Sequence, residues 1–147
     1  MSEREVLFHL AYASHRAKSL TDDEIVDRIV LPAMQKNRRL QISGCIWFDA
    51  QFFFQVIEGD QEVVLGLYDQ IKEDPRHRGP QVLVAQQIGE RDFERFSMRL
   101  ISEGTPAAVR VLIDWYRERA LASTPMPAPI VADDVRRMIS EISAEFV

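Results

Sequence analysis

The chain carries one cysteine, Cys45, among its 147 residues. A single thiol cannot build an internal disulfide framework, so a disulfide-stapled scaffold is excluded and a reducing cytoplasm is the expected location. No uninterrupted apolar run approaches the roughly 20 residues that a spanning helix needs, and no membrane partner is expected. The opening MSEREV lacks the basic segment and apolar stretch of a secretory signal. Basic residues are in the minority, 18 against 23 acidic ones, for a formal net charge of −5. They are scattered except at Lys36, Arg38 and Arg39, so no basic face is present to neutralise phosphates, and nucleic acid is not an expected partner. Phosphate-binding glycine loops of the P-loop and dinucleotide types are missing. The three histidines, His9, His15 and His77, show no metal-ligand spacing with one another or with Cys45, and no metal is expected. There is no G-x-S-x-G elbow. The carboxylates fall mostly at helix starts and turns, where capping and solvation account for them. A hydrolytic or metal-dependent enzyme is therefore not the expectation.

What is present is the balance of a soluble globular domain, 46% hydrophobic and 28% charged. The length suits one domain with a core better than two. Val6, Phe8, Leu10 and Tyr12 alternate with Leu7, Ala11 and Ala13, which predicts a strand from Val6 to Ser14 with both faces partly covered. Thr21-Asp22-Asp23-Glu24 is a capping-box pattern. Behind it Ile25, Ile29 and Ala33, with Val26, Val30 and Met34 beside them, form one broad helical stripe. Pro32 sits inside that stripe and predicts a kink or an early stop, with Lys36 to Gln41 as loop.

Ile42 to Phe48 and Phe52 to Glu58, joined across Asp49-Ala50-Gln51, read as a hairpin. Val63, Leu67 and Ile71, flanked by Val64 and Tyr68, mark a second amphipathic helix that ends at Asp74-Pro75. Gln81 to Ile88 and Ser97 to Ile101 read as two further strands. The order strand, helix, strand, strand, helix, strand, strand predicts a ferredoxin-like α+β fold, with two helices on one face of a five-stranded mixed sheet. Thr105-Pro106 opens a tail helix bearing Val109, Leu112, Ile113 and Tyr116. A proline-rich joint, Thr124 to Pro129, precedes a last helix with Val135, Met138, Ile139, Ile142 and Phe146. Both tail helices are amphipathic, and the second sheet face is the surface expected to receive them. The expected division is a core domain, 1–102, and a C-terminal helical extension, 103–147.

The chemistry lies in polar groups set among apolar ones. Gln55 stands between Phe53 and Ile57 on one strand face, and its amide needs partners if it is buried. Alone, such a residue more often faces water or bonds to nearby backbone. Tyr12 ends the stripe Phe8-Leu10-Tyr12, where a rim tyrosine with a wet hydroxyl is the ordinary reading. Asn37, following a helix, would ordinarily be a helix C-cap.

Taken together these segments resemble a known family. Tyr12-Ala13-Ser14 at the end of a first strand, Asn37 six residues before Ser43-Gly44, and Phe53-Phe54-Gln55-Val56-Ile57-Glu58-Gly59 are similar to the BLUF family, blue-light sensors that use FAD. Asp74-Pro75-Arg76-His77 and Phe96-Ser97-Met98 continue the resemblance, which runs from about Val6 to Leu100.

The resemblance implies a flavin ring between the two helices above the sheet, with FAD as cofactor and FMN or riboflavin as substitutes. It implies Tyr12 as electron and proton donor and Gln55 as the bridge from Tyr12 to the flavin. Asn37 would hold the polar edge of the ring, and Lys36, Asp74 and Arg76 would line the rest of the pocket. An amide suits a switch because it donates and accepts and has two arrangements of similar energy. Met98 and Phe96 would couple the signal onward. Phe96 stands where the family often has tryptophan, so altered signalling geometry or dark recovery rather than lost photochemistry is expected; Ser43 stands where threonine is common, a mild change.

The chain ends too soon after this core to carry an output enzyme, and the expected role is a non-enzymatic receptor acting on a separate signalling protein. A homodimer is expected, because a sheet edge and two amphipathic helices offer association surfaces. Two other classes stand beside this reading: a flavin-binding redox protein, and a ferredoxin-like interaction module without flavin.

Overall fold

The computed structural model describes residues 6–102, 104–121 and 132–144. Strand β1 (Leu7–Arg16) leads into a helical run of three pieces: α1 (Asp22–Ile25), a π-helical turn (Val26–Val30) and α2 (Leu31–Arg39). Strands β2 (Ser43–Phe48) and β3 (Phe52–Asp60) follow, then α3 (Gln61–Lys72), β4 (His77–Gln87) and the short β5 (Arg99–Leu100). Helices α4 (Ala107–Leu121) and α5 (Ala132–Ala144) complete the described chain. The strands form one sheet in the order β4-β1-β3-β2-β5, antiparallel throughout except for the β2–β5 pair. This is the ferredoxin-like α+β fold, with its five-stranded mixed sheet.

Strand alternation sorts the core into two layers. Phe8, Leu10, Tyr12, Ile46, Phe53 and Ile57 are buried with Ile25, Val30, Val64 and Leu67 from the helices between the strands. The opposite face presents Ala11, Ala13, Cys45, Trp47, Phe54 and Val56 to Val109, Leu112, Ile113 and Tyr116 of α4 and Val135, Ile139 and Ile142 of α5. The tail helices therefore cover the second face, as their apolar stripes require. The proline-rich joint, Thr124 to Pro129, and Phe146 lie outside the described residues.

Local chemistry explains the boundaries. The Thr21 hydroxyl accepts from the Glu24 N–H at 3.1 Å, and the Glu24 carboxylate accepts from the Thr21 N–H at 3.2 Å, closing the capping box. The Asp49 carboxylate accepts from the N–H groups of Gln51 and Phe52 at 2.8 and 2.7 Å, which shapes the hairpin turn. Asp60 caps α3 by accepting from the Val63 N–H. Pro80 is tolerated in β4 because β4 is an edge strand.

Three boundaries differ from the sequence expectation. Pro32 neither stops nor ends the first helix, and Lys36 to Gln41 is not a loop: the chain stays helical to Arg39. The proline falls in the first turn of α2, just after the π-helical turn, where a missing N–H is tolerated. Strand β4 begins at His77 rather than Gln81, with register shifts against β1 beside Tyr12 and between Ala13 and His15. Strand β5 is reduced to Arg99–Leu100, so Phe96 and Met98 lie before it and not within it.

Because β4 and β5 lie at opposite edges, the chain from Ile88 to Met98 must cross the sheet, and Glu58 secures that crossing. Glu58 is fully buried and accepts from the Asp92 and Phe93 N–H groups, both at 2.9 Å. His9 Nδ1 lies 3.0 Å from the same carboxylate. Asp92 in turn accepts from Arg136 Nε and Ser140 Oγ of α5, each at 2.9 Å. The crossing segment is thus tied both to the sheet and to the last helix.

Leu112 is fully buried between α4 and the sheet. Leu112→Ala is expected to destabilise the fold by about 2–5 kcal/mol. Urea unfolding followed by circular dichroism and tryptophan fluorescence should show one transition at a lower midpoint, because the tail helices share the sheet's core.

Candidate functional site

The pairing of β1 with β3 sets Tyr12 directly opposite Gln55. Both side chains point to the helix-covered face, and the Tyr12 hydroxyl donates to the Gln55 amide oxygen. The amide nitrogen points the other way, 3.7 Å from the Met98 sulfur. Gln55 is thus a buried amide held between a phenol and a thioether, the second a weak acceptor. Burial, helped by the neighbouring Tyr68 and Asp74, drives the Tyr12 phenol far above its ordinary pKa. It stays protonated at every working pH, and the proton on its bond to Gln55 is secure.

Asn37 lies within α2, near its end, and is not a C-cap; Leu40 takes that place. Its amide nitrogen donates to the Ser97 carbonyl at 2.9 Å. It makes no other side-chain hydrogen bond among the described residues, so a second N–H and a carbonyl oxygen remain for a ligand.

These groups border a cleft of ≈ 280 Å³ whose lining includes Tyr12, Asn37, Gln55, Ile29, Ala33, Phe53, Leu67 and Ile71. Lys36, Arg28 and Arg76 supply cations at its wall. Lys36 Nζ donates to Gln70 Oε1 at 2.7 Å, linking α2 to α3. Arg76 grips the Asp74 carboxylate through Nε and Nη2 at 3.0 and 2.6 Å, and that pairing holds the Asp74 pKa below the usual carboxylate range. Its third nitrogen, Nη1, donates to the Arg28 carbonyl at 2.8 Å. That carbonyl would bond residue 32 in an unbroken α-helix, but Pro32 has no N–H to offer. His77 lines the same cleft, with Nε2 2.6 Å from the Ile71 carbonyl and Nδ1 2.7 Å from Ser14 Oγ. The carbonyl can only accept, so Nε2 donates to it and Nδ1 pairs with the Ser14 hydroxyl.

Tyr12, Gln55, Asn37, Lys36, Asp74 and Arg76 therefore meet around one cleft, with Met98 against Gln55. Phe96 does not reach it: its half-buried ring lies in a separate cleft, with the Arg99 guanidinium 5.6 Å above it. The sequence reading gave no site role to Ser97, Arg28, Gln70 or Tyr68, and did not pair the buried His9 with Glu58. Their alternation placed them on strand faces or helices without indicating partners. The cluster of His9, Glu58 and Asp92 has ligand-type atoms within 4.8 Å of one another. Both Glu58 oxygens are already engaged by backbone N–H groups, so the cluster is accounted for as the anchor of the crossing segment.

A ferredoxin-like sheet with a cleft between its helices, apolar over most of its surface and edged by two amides and a phenol, has the walls and the polar edge that a flat heteroaromatic ligand requires. Comparison with known proteins narrows the class. The profile of the family described as BLUF, "Sensors of blue-light using FAD", matches residues 7–99, and the chain belongs to that family. It is 34% identical over 103 residues, 65% of its own length, to the blue light- and temperature-regulated antirepressor BluF of Escherichia coli (strain K12). It matches the photoactivated adenylate cyclase subunit beta of Euglena longa at 44% over 45 residues, 31% of its length. The chain spans 25% and 5% of these two relatives. Among solved structures, the photo-activated state of BlsA superposes with a TM-score of 0.70 at 27% identity, covering 93% of this chain and 94% of that one. The dark-state BLUF protein BlrB gives the same TM-score at 24% identity, over 96% and 98% of the two chains, a likeness of fold.

The cleft suits a flavin: apolar walls for the rings, and amide groups on Asn37 and Gln55 for a polar edge. Arg76→Ala removes the Asp74 partner and frees the Arg28 carbonyl at the cleft wall. Flavin retention, measured by equilibrium dialysis, is expected to weaken about tenfold, while the fold persists because Arg76 is partly exposed.

Proposed function

We propose that this protein is a blue-light receptor that binds FAD noncovalently and signals through Gln55 to a separate partner protein. The observation that carries the reading is the buried chain from the Tyr12 hydroxyl through the Gln55 amide to Met98. The cations Arg28, Lys36 and Arg76 favour a phosphate-bearing flavin over riboflavin. When bound, the flavin supplies a strong oxidant on absorbing blue light. Tyr12 can then yield an electron while its proton moves along the existing hydrogen bond to the Gln55 amide oxygen. Return of both particles restores the phenol and leaves no covalent product. What outlasts the event is a Gln55 amide that has rotated or tautomerised, exchanging the groups it offers to Tyr12 and Met98. An altered contact at Met98 reaches the crossing segment, and Asp92 carries it to Arg136 and Ser140 of α5. On this reading residues 1–102 are the sensor and 103–147 the cap through which the signal leaves.

The test is the absorption spectrum of the purified protein before and after blue illumination. A yellow protein with a small, reversible red shift is the expected result. Bleaching to reduced flavin would overturn the reading in favour of a redox protein, and a colourless protein in favour of a flavinless interaction module. Gln55→Leu should keep the flavin and lose the shift, since leucine neither accepts the Tyr12 proton nor has a second arrangement to adopt. Because burial holds Tyr12 protonated, the amplitude of the shift should stay constant from about pH 6 to about pH 10, where a free phenol would already be half ionised. Difference spectra across that range check the point, and a loss centred near neutrality would contradict it. We further infer a homodimer, supported by the exposed edge strands β4 and β5; size-exclusion chromatography with light scattering should give twice the chain mass at micromolar concentration.

A further inference from the structure

On the other side of α2 from the flavin cleft lies a second, more open one of ≈ 610 Å³. Its walls are Met34 and Arg38 of α2, Gln41 just beyond that helix, and Arg91, Glu94, Arg95 and Phe96 from the crossing segment, and Ser97 and Met98 also line it. Three arginines face one glutamate there, in a chain whose formal net charge is −5. Arg91 is committed, donating to Ser43 Oγ at 3.0 Å and the Glu58 carbonyl at 3.2 Å. Arg38 and Arg95 are exposed and make no ion pair or side-chain hydrogen bond among the described residues. Met34 and Phe96 beside them are half-buried apolar walls.

We infer that this cleft is the docking site for a partner protein, which presents a carboxylate side chain flanked by an aliphatic one. A guanidinium offers a planar pair of donors that matches a carboxylate, and two such forks without partners form an acceptor-seeking rim. An aliphatic side chain covers the Met34–Phe96 wall, which a bare phosphate would leave in water, and methionine adapts its shape to such a contact. Two atoms link the cleft to the sensor. The Ser97 carbonyl accepts from Asn37, and the Met98 sulfur meets the Gln55 amide. A rearranged Gln55 therefore changes the cleft from within, and affinity for the partner depends on light. That dependence rests on the light-sensing reading above; the charge preference of the cleft does not.

The test incubates the labelled full chain with an array of random 12-residue peptides, in darkness and under blue light. Peptides with Asp or Glu beside Leu, Ile or Met should be enriched, with binding that differs between dark and light. In Arg38→Gln/Arg95→Gln the enriched peptides should bind about tenfold or more weakly, as expected for losing charge-assisted hydrogen bonds, while the flavin spectrum stays unchanged. Equal binding of acidic, neutral and basic peptides, or the same selection by the double variant, overturns the inference. So does displacement of the enriched peptides by inorganic phosphate at micromolar concentration, which would mark a small-anion site. Acidic selection without any light-driven spectral shift would support the cleft and count against the light-sensing reading instead.

Discussion

The register between β1 and β3 is the constraint on which both faces of this molecule depend. The same alignment that sets Tyr12 opposite Gln55 sets His9 opposite Glu58. The two pairs stand three residues apart along each strand, so strand alternation sends one to the helix face and the other to the tail face. A slip of one residue would move every side chain of a strand to the wrong layer, burying polar groups against apolar ones on both sides. The apolar stripes on either face hold the register, and the two polar pairs inherit their partners from it.

The pair on the tail face makes the site on the helix face possible. The parallel pairing of β5 with β2 obliges the chain to cross from one sheet edge to the other, and the buried Glu58 takes up the N–H groups of the crossing that would otherwise be left unpaired. Desolvation pushes the pKa of the neighbouring Cys45 thiol up, and the charge of the Glu58 carboxylate raises it further, so that lone cysteine is kept as a small apolar side chain. Held in this way, the crossing delivers Met98 to Gln55 and the Ser97 carbonyl to Asn37. Asn37 is then tied to the crossing as well as to the cleft: its one occupied N–H binds the segment that Gln55 also touches. Asn37, Gln55 and the crossing segment are joined by these few contacts, and a change in one is felt by the others.

The helical run Asp22 to Arg39 shows how tertiary contacts can overrule a local signal. Pro32 was expected to kink or stop it, and in isolation the missing N–H and ring clash argue for the stop. The π-helical turn shifts the bonding pattern just before the proline, and Arg76, immediately before β4, donates to the Arg28 carbonyl. The helix therefore reaches Asn37 and Arg39, and Asn37 faces the cleft instead of closing a helix end. Strand β4 likewise begins before its apolar alternation does, because backbone pairing with β1 extends through Arg78 and His77.

By itself the sequence determined the element order, the two-layer core, the covering role of the tail helices and the family to which Tyr12, Asn37 and Gln55 belong. These follow from periodicity, caps and a spaced set of residues, all of which are local or countable along the chain. Only the tertiary structure decided that Met98 meets Gln55 and the Ser97 carbonyl meets Asn37, that Phe96 turns to a different cleft, and that His9, Glu58, Asp92 and Arg136 form one connected anchor. Residues 9, 58, 92 and 136 have no mutual spacing to read, since their contacts arise from strand register and the crossing of the sheet. Burial turns an ordinary glutamate into an organising group, and burial belongs to the folded whole.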